Sequence, residues 1–399
     1  VTDDRTTDPT DPIDPTTGAD GVVLSPLHAE HEALGATTTP FGGWLMPLRY
    51  AGDLAEHQAV RSAAGLFDLS HMGELHVDGP GAAAGLDRAL VGDISGLAVG
   101  RARYTMIVQE DGGILDDLIV YRLGRQAFLV VANASNVAVV RDALAVRLAD
   151  AAASLTDRSL ETALIAVQGP RAAEIVTALV PDPEQAAAVR DVRYYAAVPA
   201  DVAGVETLVA RTGYTGEDGF ELFLPADAAP GLWRALLAAG QPLGLVPAGL
   251  AARDSLRLEA GMPLYGNELD RTTTPHDAGL GRVVRLDKVD ADGTPLPFVG
   301  RDALAARAHA TPSRVLVGLA GLGRRAARHG YPVLTSTEAG AATVGHVTSG
   351  APSPTLGTPI AMAYVTPEVS APGTELAVDV RGRAEPVRVV ELPFYRRPS

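Results

Sequence analysis

Residues 211–219 of this 399-residue chain read R-T-G-Y-T-G-E-D-G and run straight into Phe220, Glu221 and Leu222. Three glycines in nine residues make a chain that turns tightly and brings backbone close to a neighbour. A phosphate-binding loop carries Lys and then Ser or Thr after its last glycine. This loop closes on Glu217 and Asp218 instead, and Glu221 follows inside an apolar run. It therefore suits a ligand that donates hydrogen bonds and repels a bare phosphate. A strand over 220–224 puts Phe220, Leu222 and Leu224 on one face and Glu221 and Phe223 on the other. Glu221 is then fixed on a rigid element beside a mobile loop.

A second group of acids lies in G-G-I-L-D-D-L-I-V, where Asp116 and Asp117 are adjacent. Neighbours on a strand face opposite ways, so only one enters a given pocket and the other meets solvent or a partner. Asp is disfavoured within strands, which leaves two readings: a solvated strand end, or a carboxylate held against a cationic or N–H-bearing substrate. Asn133 can donate and accept through one amide, or serve as a turn or cap residue before Ser135. Arg253 and Arg257 lie four apart and share a helix face. They form either a clamp for a carboxylate or ordinary pairs with Asp254 and Glu259. His28 and His31 have H-x-x-H spacing without a third ligand in register, and His71 and His76 are isolated, so no metal site is expected. No G-x-S-x-G elbow or dinucleotide fingerprint is present. Trp44 and Tyr104 read as core aromatics before they read as a ligand platform.

These side chains need elements to hold them. Leu27 and residues 30–34 suit a short helix with Ser25 as N-cap and Pro26 at its first position. F-G-G-W at 41–44 forms a turn, and 53–64 reads as a helix ended by Gly65. Residues 73–77 and 102–108 alternate like strands around a helical interval at 79–93. E-D-G-G at 110–113 is a hairpin-type turn leading into a strand over 114–121 that carries the acid pair. A strand over 128–132 ends at Asn133, and 135–150 is an Ala- and Val-rich helix. The pattern then recurs: strand 163–167, helix 171–179, strand 206–211, the glycine loop, strand 220–224 and a helix around 232–238. Used twice, this succession predicts two ferredoxin-like α+β halves. A helix over 250–260 carries Arg253 and Arg257. The Asp-, Gly- and Pro-rich stretch 287–297 marks a boundary. Beyond it, short β runs at 315–319, 343–348, 360–364, 375–380 and 387–390 fit a small β-barrel. The expected organisation is a tail at 1–23, a main region at 24–286, a linker and short helix at 287–311, and a barrel at 312–399.

Composition limits the function classes. Hydrophobic residues make up 47% of the chain, and the length allows two or three domains. No run of about eighteen apolar residues predicts a membrane span. The absence of cysteine excludes disulfides, thiolate metal sites and cysteine nucleophiles. A formal net charge of −15 disfavours binding to nucleic acid or to an anionic membrane over most of the surface. An anionic ligand then needs a local arginine cluster. Residues 1–20 carry six Asp, six Thr and three Pro against one Arg, a composition that predicts disorder. Neither a transit peptide nor a secretory signal fits, so a cytoplasmic location is the default.

Taken together, eight segments in order resemble the glycine cleavage system T proteins, the aminomethyltransferases. They are F-G-G-W-L-M-P-L (41–48), G-L-F-D-L-S-H-M-G-E (65–74), G-G-I-L-D-D-L-I-V-Y (112–121), A-L-I-A-V-Q-G-P (163–170), R-T-G-Y-T-G-E-D-G-F-E (211–221), A-G-L-A-A-R-D-S-L-R-L-E-A-G (248–261), T-S-G-A-P-S-P-T-L-G (348–357) and P-F-Y-R (393–396). The resemblance implies an α+β fold of three domains in a cloverleaf. Two ferredoxin-like subdomains form the folate-binding unit, and a C-terminal β-barrel completes it. It implies tetrahydrofolate as co-substrate in a central cavity and the lipoylated H protein as partner. The aminomethyl group on the dihydrolipoyl arm gives up ammonia, and its carbon ends as 5,10-methylenetetrahydrofolate.

Folate contacts carry over to Asp117, Asn133, Glu221 and Arg253, with a C-terminal contact at Tyr395 or Arg396. Tyr104 and Met72 occupy pocket-lining motif positions. In this scheme Glu221 takes the paired pterin donors, and Arg253 holds or shares the anionic glutamyl tail. Asp117 faces N10, orients the folate and stabilises the iminium cation, with general-base action as a further possibility. Two rivals stand beside this reading. One is a folate-dependent demethylase of a methylated amine or sulfonium. The other is a non-enzymatic folate-binding factor of iron–sulphur maintenance, which relies on a loop cysteine where this chain has Gly213.

Overall fold

A computed structural model describes residues 21–290 and 292–398. The acidic stretch 1–20, expected as a disordered tail, lies outside the described residues. That tail was expected to run to residue 23, yet Val23–Leu24 is a strand paired parallel with Trp44 and Leu45. Among the described residues no helix is long and apolar enough to cross a membrane.

Two large sheets and a barrel organise the described residues, beside a small sheet in the order Val23–Leu24, Trp44–Arg49 and Thr37–Phe41. The first sheet has five strands in the order Ala102–Val108, Ile114–Arg122, Ala127–Ala132, Gly73–Asp78 and Ser154–Asp157, all antiparallel. Helices Ala82–Ala89 and Val137–Arg147 cover one face through Leu86, Val140 and Leu144. The second sheet has six strands in the order Ala197–Val202, Val205–Ala210, Gly219–Pro225, Thr162–Gln168, Ala64–Asp68 and Leu245–Pro247. Its outer face packs on Ala172–Thr177, Pro183–Asp191 and Ala229–Gly240 through Phe220, Leu222 and Trp233. The uncovered faces of the two sheets meet each other, with Leu69, Tyr121, Leu129, Val131, Leu164 and Phe223 between them.

Strand alternation decides which side chain reaches which layer. Along Ile114–Arg122, Leu118 and Val120 point to the helices, while Ile119 and Tyr121 point to the second sheet. Along Gly219–Pro225, Phe220, Leu222 and Leu224 enter the outer core and Phe223 the layer between the sheets.

Six further strands close into the C-terminal barrel: Val315–Gly321, Pro359–Val365, Thr343–Pro352, Pro332–Leu334, Glu375–Asp379 and Ala384–Val390. The short Pro332–Leu334 was not expected, because three residues carry no alternation.

Ala64–Asp68 departs further from expectation. The preceding helix spans Asp53–Ser62, and Gly65, expected as its terminator, sits inside a central strand. All five strand residues are buried, since both faces are covered, so the pattern has no polar alternation to read. A Cβ on Gly65 would lie 2.5 Å from the Val60 side chain. The glycine is there for close helix–strand packing rather than for a turn. The first helix is His28–Ala33; the Ser25 hydroxyl accepts from the Leu27 backbone N–H at 3.1 Å, as a cap does, and also donates to the Asp68 carboxylate.

Candidate active site

The layer between the two sheets opens into a cavity of about 440 Å³, within the usual range for a small-molecule site. Asp117, Asn133, Glu221, Arg253, Tyr104 and Met72 all line it. Each arrives by the alternation described above. Asp117 is on the inter-sheet side of Ile114–Arg122, and Glu221 is on the inter-sheet side of Gly219–Pro225. Arg253 enters from the first turn of the helix Leu250–Glu259.

Asp117 is held from two sides. The Tyr104 hydroxyl donates to its Oδ2 at 3.0 Å, and the Asn133 side-chain N–H donates to its Oδ1 at 2.9 Å. Burial raises the Asp117 pKa above the ordinary carboxylate range despite these two donors. Glu221 accepts from the Thr212 hydroxyl and, at 3.5 Å, from the Tyr121 hydroxyl, both on Oε2. Its Oε1 accepts no hydrogen bond from the described residues. Burial raises the Glu221 pKa, with Thr212 and the Arg253 charge acting the other way. Arg253 lies 4.7 Å from the Tyr214 ring centroid and has no ion pair with the described residues. Burial lowers its pKa, opposed by Tyr214 and Glu221. The cavity thus offers two carboxyl groups and an arginine without a counter-ion.

Several sequence expectations need correction. The reading of the acid pair as a solvated strand end fails: of solvent or a partner, Asp116 meets the partner, being fully buried and accepting from three N–H groups. The acids of the glycine loop do not face a ligand. Glu217 pairs with Arg61 at 2.8 Å and Asp218 pairs with Arg211, so both tie the loop to its surroundings. Gly213 and Tyr214 are the loop residues on the cavity wall. A Cβ at Gly213 would stand 2.0 Å from the Gln168 side-chain oxygen, so a side chain there would require Gln168 to move off its contacts with Thr212 and Thr215.

Arg253 and Arg257 do not form one clamp. Arg257 turns away to Asp254 and Glu268, at 2.7 and 3.0 Å. Tyr395 and Arg396 are not brought to the cavity wall. After the last barrel strand the chain crosses back over the end of the helix Leu250–Glu259. There the Tyr395 N–H donates to the Glu259 carbonyl, and Arg61 lies 4.0 Å from the Tyr395 ring centroid.

Sequence reasoning passed over His71, which lines the cavity beside Phe41 with ring centroids 5.3 Å apart. Its Nδ1 is buried without a hydrogen-bond partner, and burial, with Arg253 nearby, holds its pKa down at about 4. The imidazole is therefore neutral at ordinary pH. An isolated histidine in sequence carries no signal for such a position.

The family model for the GCVT N-terminal domain matches residues 27–288, and that for the glycine cleavage T-protein C-terminal barrel domain matches residues 314–396. A relative from Saccharopolyspora erythraea, named aminomethyltransferase, is 59% identical over 94% of this chain and 98% of its own length. One of the same name from Streptomyces avermitilis is 60% identical over 93% and 97%. Among solved structures, that of glycine cleavage system aminomethyltransferase T from Bartonella henselae superposes with a TM-score of 0.84 at 36% identity, covering 94% of this chain and 99% of that one.

Proposed function

The chain belongs to the glycine cleavage T-protein family and is an aminomethyltransferase, and from that premise we propose that its inter-sheet cavity takes tetrahydrofolate. The partner is the lipoylated H protein. The aminomethyl group on its dihydrolipoyl arm loses ammonia, and the carbon leaves as 5,10-methylenetetrahydrofolate. One observation carries this reading: a single cavity sets the free oxygen of Glu221, the arginine without a counter-ion and the hydrogen-bonded Asp117 around one space.

The residues fit the group they would hold. A reduced pterin presents an amine and a ring N–H side by side, and a carboxylate accepts such a pair with two parallel bonds. Glu221 has the oxygen to spare. A glutamyl tail is anionic and needs a planar cation, which Arg253 supplies. When bound, tetrahydrofolate supplies the nitrogens that take up the one-carbon unit. Asp117 is positioned by Tyr104 and Asn133 to accept an N–H and to stabilise positive charge as ammonia departs. Its raised pKa brings it nearer the working pH, where a carboxylate also exchanges protons readily. Leu69, Met72, Val131 and Leu164 exclude water from the same space and so strengthen each of these interactions.

The test is a titration of the protein with tetrahydrofolate, followed by ammonia release from aminomethylated H protein and product analysis. The expected product is 5,10-methylenetetrahydrofolate. Formation of 5-methyltetrahydrofolate from a methylated donor, with no ammonia from the H protein, would instead establish the demethylase reading.

A further inference from the structure

Asn133 and Asn136 both stand at N-cap positions, before the 3-10 turn Ala134–Asn136 and the helix Val137–Arg147. An N-cap asparagine ordinarily accepts from the backbone N–H groups of the first helical turn. Neither does so here. Both side chains turn back to Asp116, which is 0% exposed. Asp116 accepts from the Asn133 backbone N–H at 2.9 Å, the Asn133 side-chain N–H at 2.9 Å and the Asn136 side-chain N–H at 2.7 Å.

The same Asn133 side-chain nitrogen reaches Asp117, at 2.9 Å from Oδ1 and 3.1 Å from the carbonyl. An amide nitrogen has only two hydrogens. Both are spent on these acceptors, so the amide cannot be turned over without pressing its oxygen against two carboxyl groups. Its carbonyl oxygen is left for a ligand.

We propose that Asp116 is a positioning residue: through Asn133 it sets the orientation of Asp117 and makes Asn133 a hydrogen-bond acceptor, never a donor, toward an N–H of the bound folate. The proposal rests on the tetrahydrofolate reading above. Asp116 touches no ligand, because strand alternation sends it under the helix Val137–Arg147 while Asp117 enters the cavity. The titratable groups facing the pair are Tyr104, Tyr195 and Tyr214 toward Asp117 and Tyr265 toward Asp116. All four have raised pKa values and are neutral at the pH of assay. Burial raises the Asp116 pKa, and the neighbouring Asp117 charge raises it further.

The experiment uses Asp116→Asn and Asn136→Ala in the full chain, with tetrahydrofolate and aminomethylated H protein. Asp116→Asn removes the carboxyl that orders the amide. Its kcat should fall about tenfold or more, as for a misplaced reacting group, while the Kd for tetrahydrofolate stays within about threefold. The acid limb of its kcat profile should move to higher pH, because the Asn133 N–H that lowers the Asp117 pKa is no longer held in place. Asn136→Ala leaves the cavity wall intact and should lower kcat about threefold, a weaker effect through the same acid.

Folded variants with wild-type kcat and an unmoved acid limb would overturn the role. If Asp116→Asn fails to fold, Asn136→Ala decides by kcat alone, support being a fall with unchanged folate affinity. Wild-type protein that does not bind tetrahydrofolate overturns the reading beneath the proposal. Variants that merely match a wild type that binds it overturn the positioning role alone.

Discussion

One helix, Leu250–Glu259, carries charge into two places that differ in a single respect. At its C-terminal end, against the barrel, every charge is answered. Glu259 accepts from Ser353, from the Thr355 backbone at 3.0 Å and hydroxyl at 2.7 Å, and from Arg61 at 2.8 Å, with His57 at 3.1 Å. Arg257 pairs with Asp254 and Glu268 and also donates to Ser349 at 2.9 Å. At its N-terminal end Arg253 faces the cavity with an aromatic ring and no counter-ion among the described residues. Glu221 across the same space has an oxygen without a donor. The pKa directions agree with this division. The donors around Glu259 outweigh burial and bring it to about 2, whereas burial wins at Glu221 and Asp117 and raises both. A buried charge whose partners are complete holds domains together. A buried charge whose partners are missing is waiting for a ligand.

The largest expected effect separates the two places by chemistry. Asp117→Asn should cost turnover about a hundredfold or more, the scale of losing a preorganised electrostatic group. The melting temperature should hold steady or rise, because an acid with a raised pKa destabilises the fold when ionised. Turnover within a few-fold of wild type would make Asp117 a structural acid like those of the seam.

Next come the two arginines, one turn apart. Arg257→Ala strands Glu268 in the interior and should destabilise the fold by about 3 kcal/mol, seen in denaturant titration. Arg253→Ala strands nothing. It should raise the Kd for tetrahydrofolate about tenfold, the worth of one charge-assisted hydrogen bond, with little change in melting temperature. Equal effects of both substitutions on stability would erase the distinction between cavity and seam.

How much of this contrast was legible in the sequence follows from the physics of each element. Period-two alternation around Asp117 and Glu221 announced which residues would share a face, and the structure has them on those faces. The spacing of Arg253 and Arg257 announced a shared helix face but not the partners, since Glu268 lies in the irregular chain after the helix and Ser349 in the barrel. The paired acids Glu217 and Asp218 were read as ligand-facing because Arg61 comes from a distant helix and because the loop closure that folds Arg211 back onto Asp218 leaves no mark in the local pattern. Gly65 was misread because a strand buried on both faces has no alternation. His71 lacked any signal, since its role depends on a cavity wall assembled from remote strands.

The pH dependence of stability should have opposite signs in the two places. Glu259 is depressed from its ordinary 4.5 to about 2. Its contribution is therefore complete above pH 4.5 and is lost as pH falls toward 2. Glu221 is raised. It favours the folded state fully below its ordinary pKa, and that advantage disappears as pH rises through the folded value. Relative to wild type, Glu259→Gln should be less stable at pH 7, with the gap closing below pH 4.5. Glu221→Gln should be as stable or more stable at pH 8, with its gap closing in mild acid. Melting curves between pH 3 and 8 measure both, and a gap of the same sign for the two variants would refute the assignment of either carboxyl.

The smallest expected effect concerns the residue that sits on the border. Tyr395 has its ring under Arg61 and its backbone on Glu259, which places it in the seam. Arg61 itself keeps Glu217 and Glu259 whatever happens to the ring. Tyr395→Ala should therefore remove the cation–π contact and the hydroxyl's interaction with Glu217, about 1 kcal/mol in denaturant titration, and leave the Kd for tetrahydrofolate within about twofold. Tyr395→Phe keeps the ring and should be closer still to wild type. The opposite pattern, a clear loss of folate affinity with unchanged stability, would mean that the C-terminal segment moves onto the bound folate and that the seam forms part of the site.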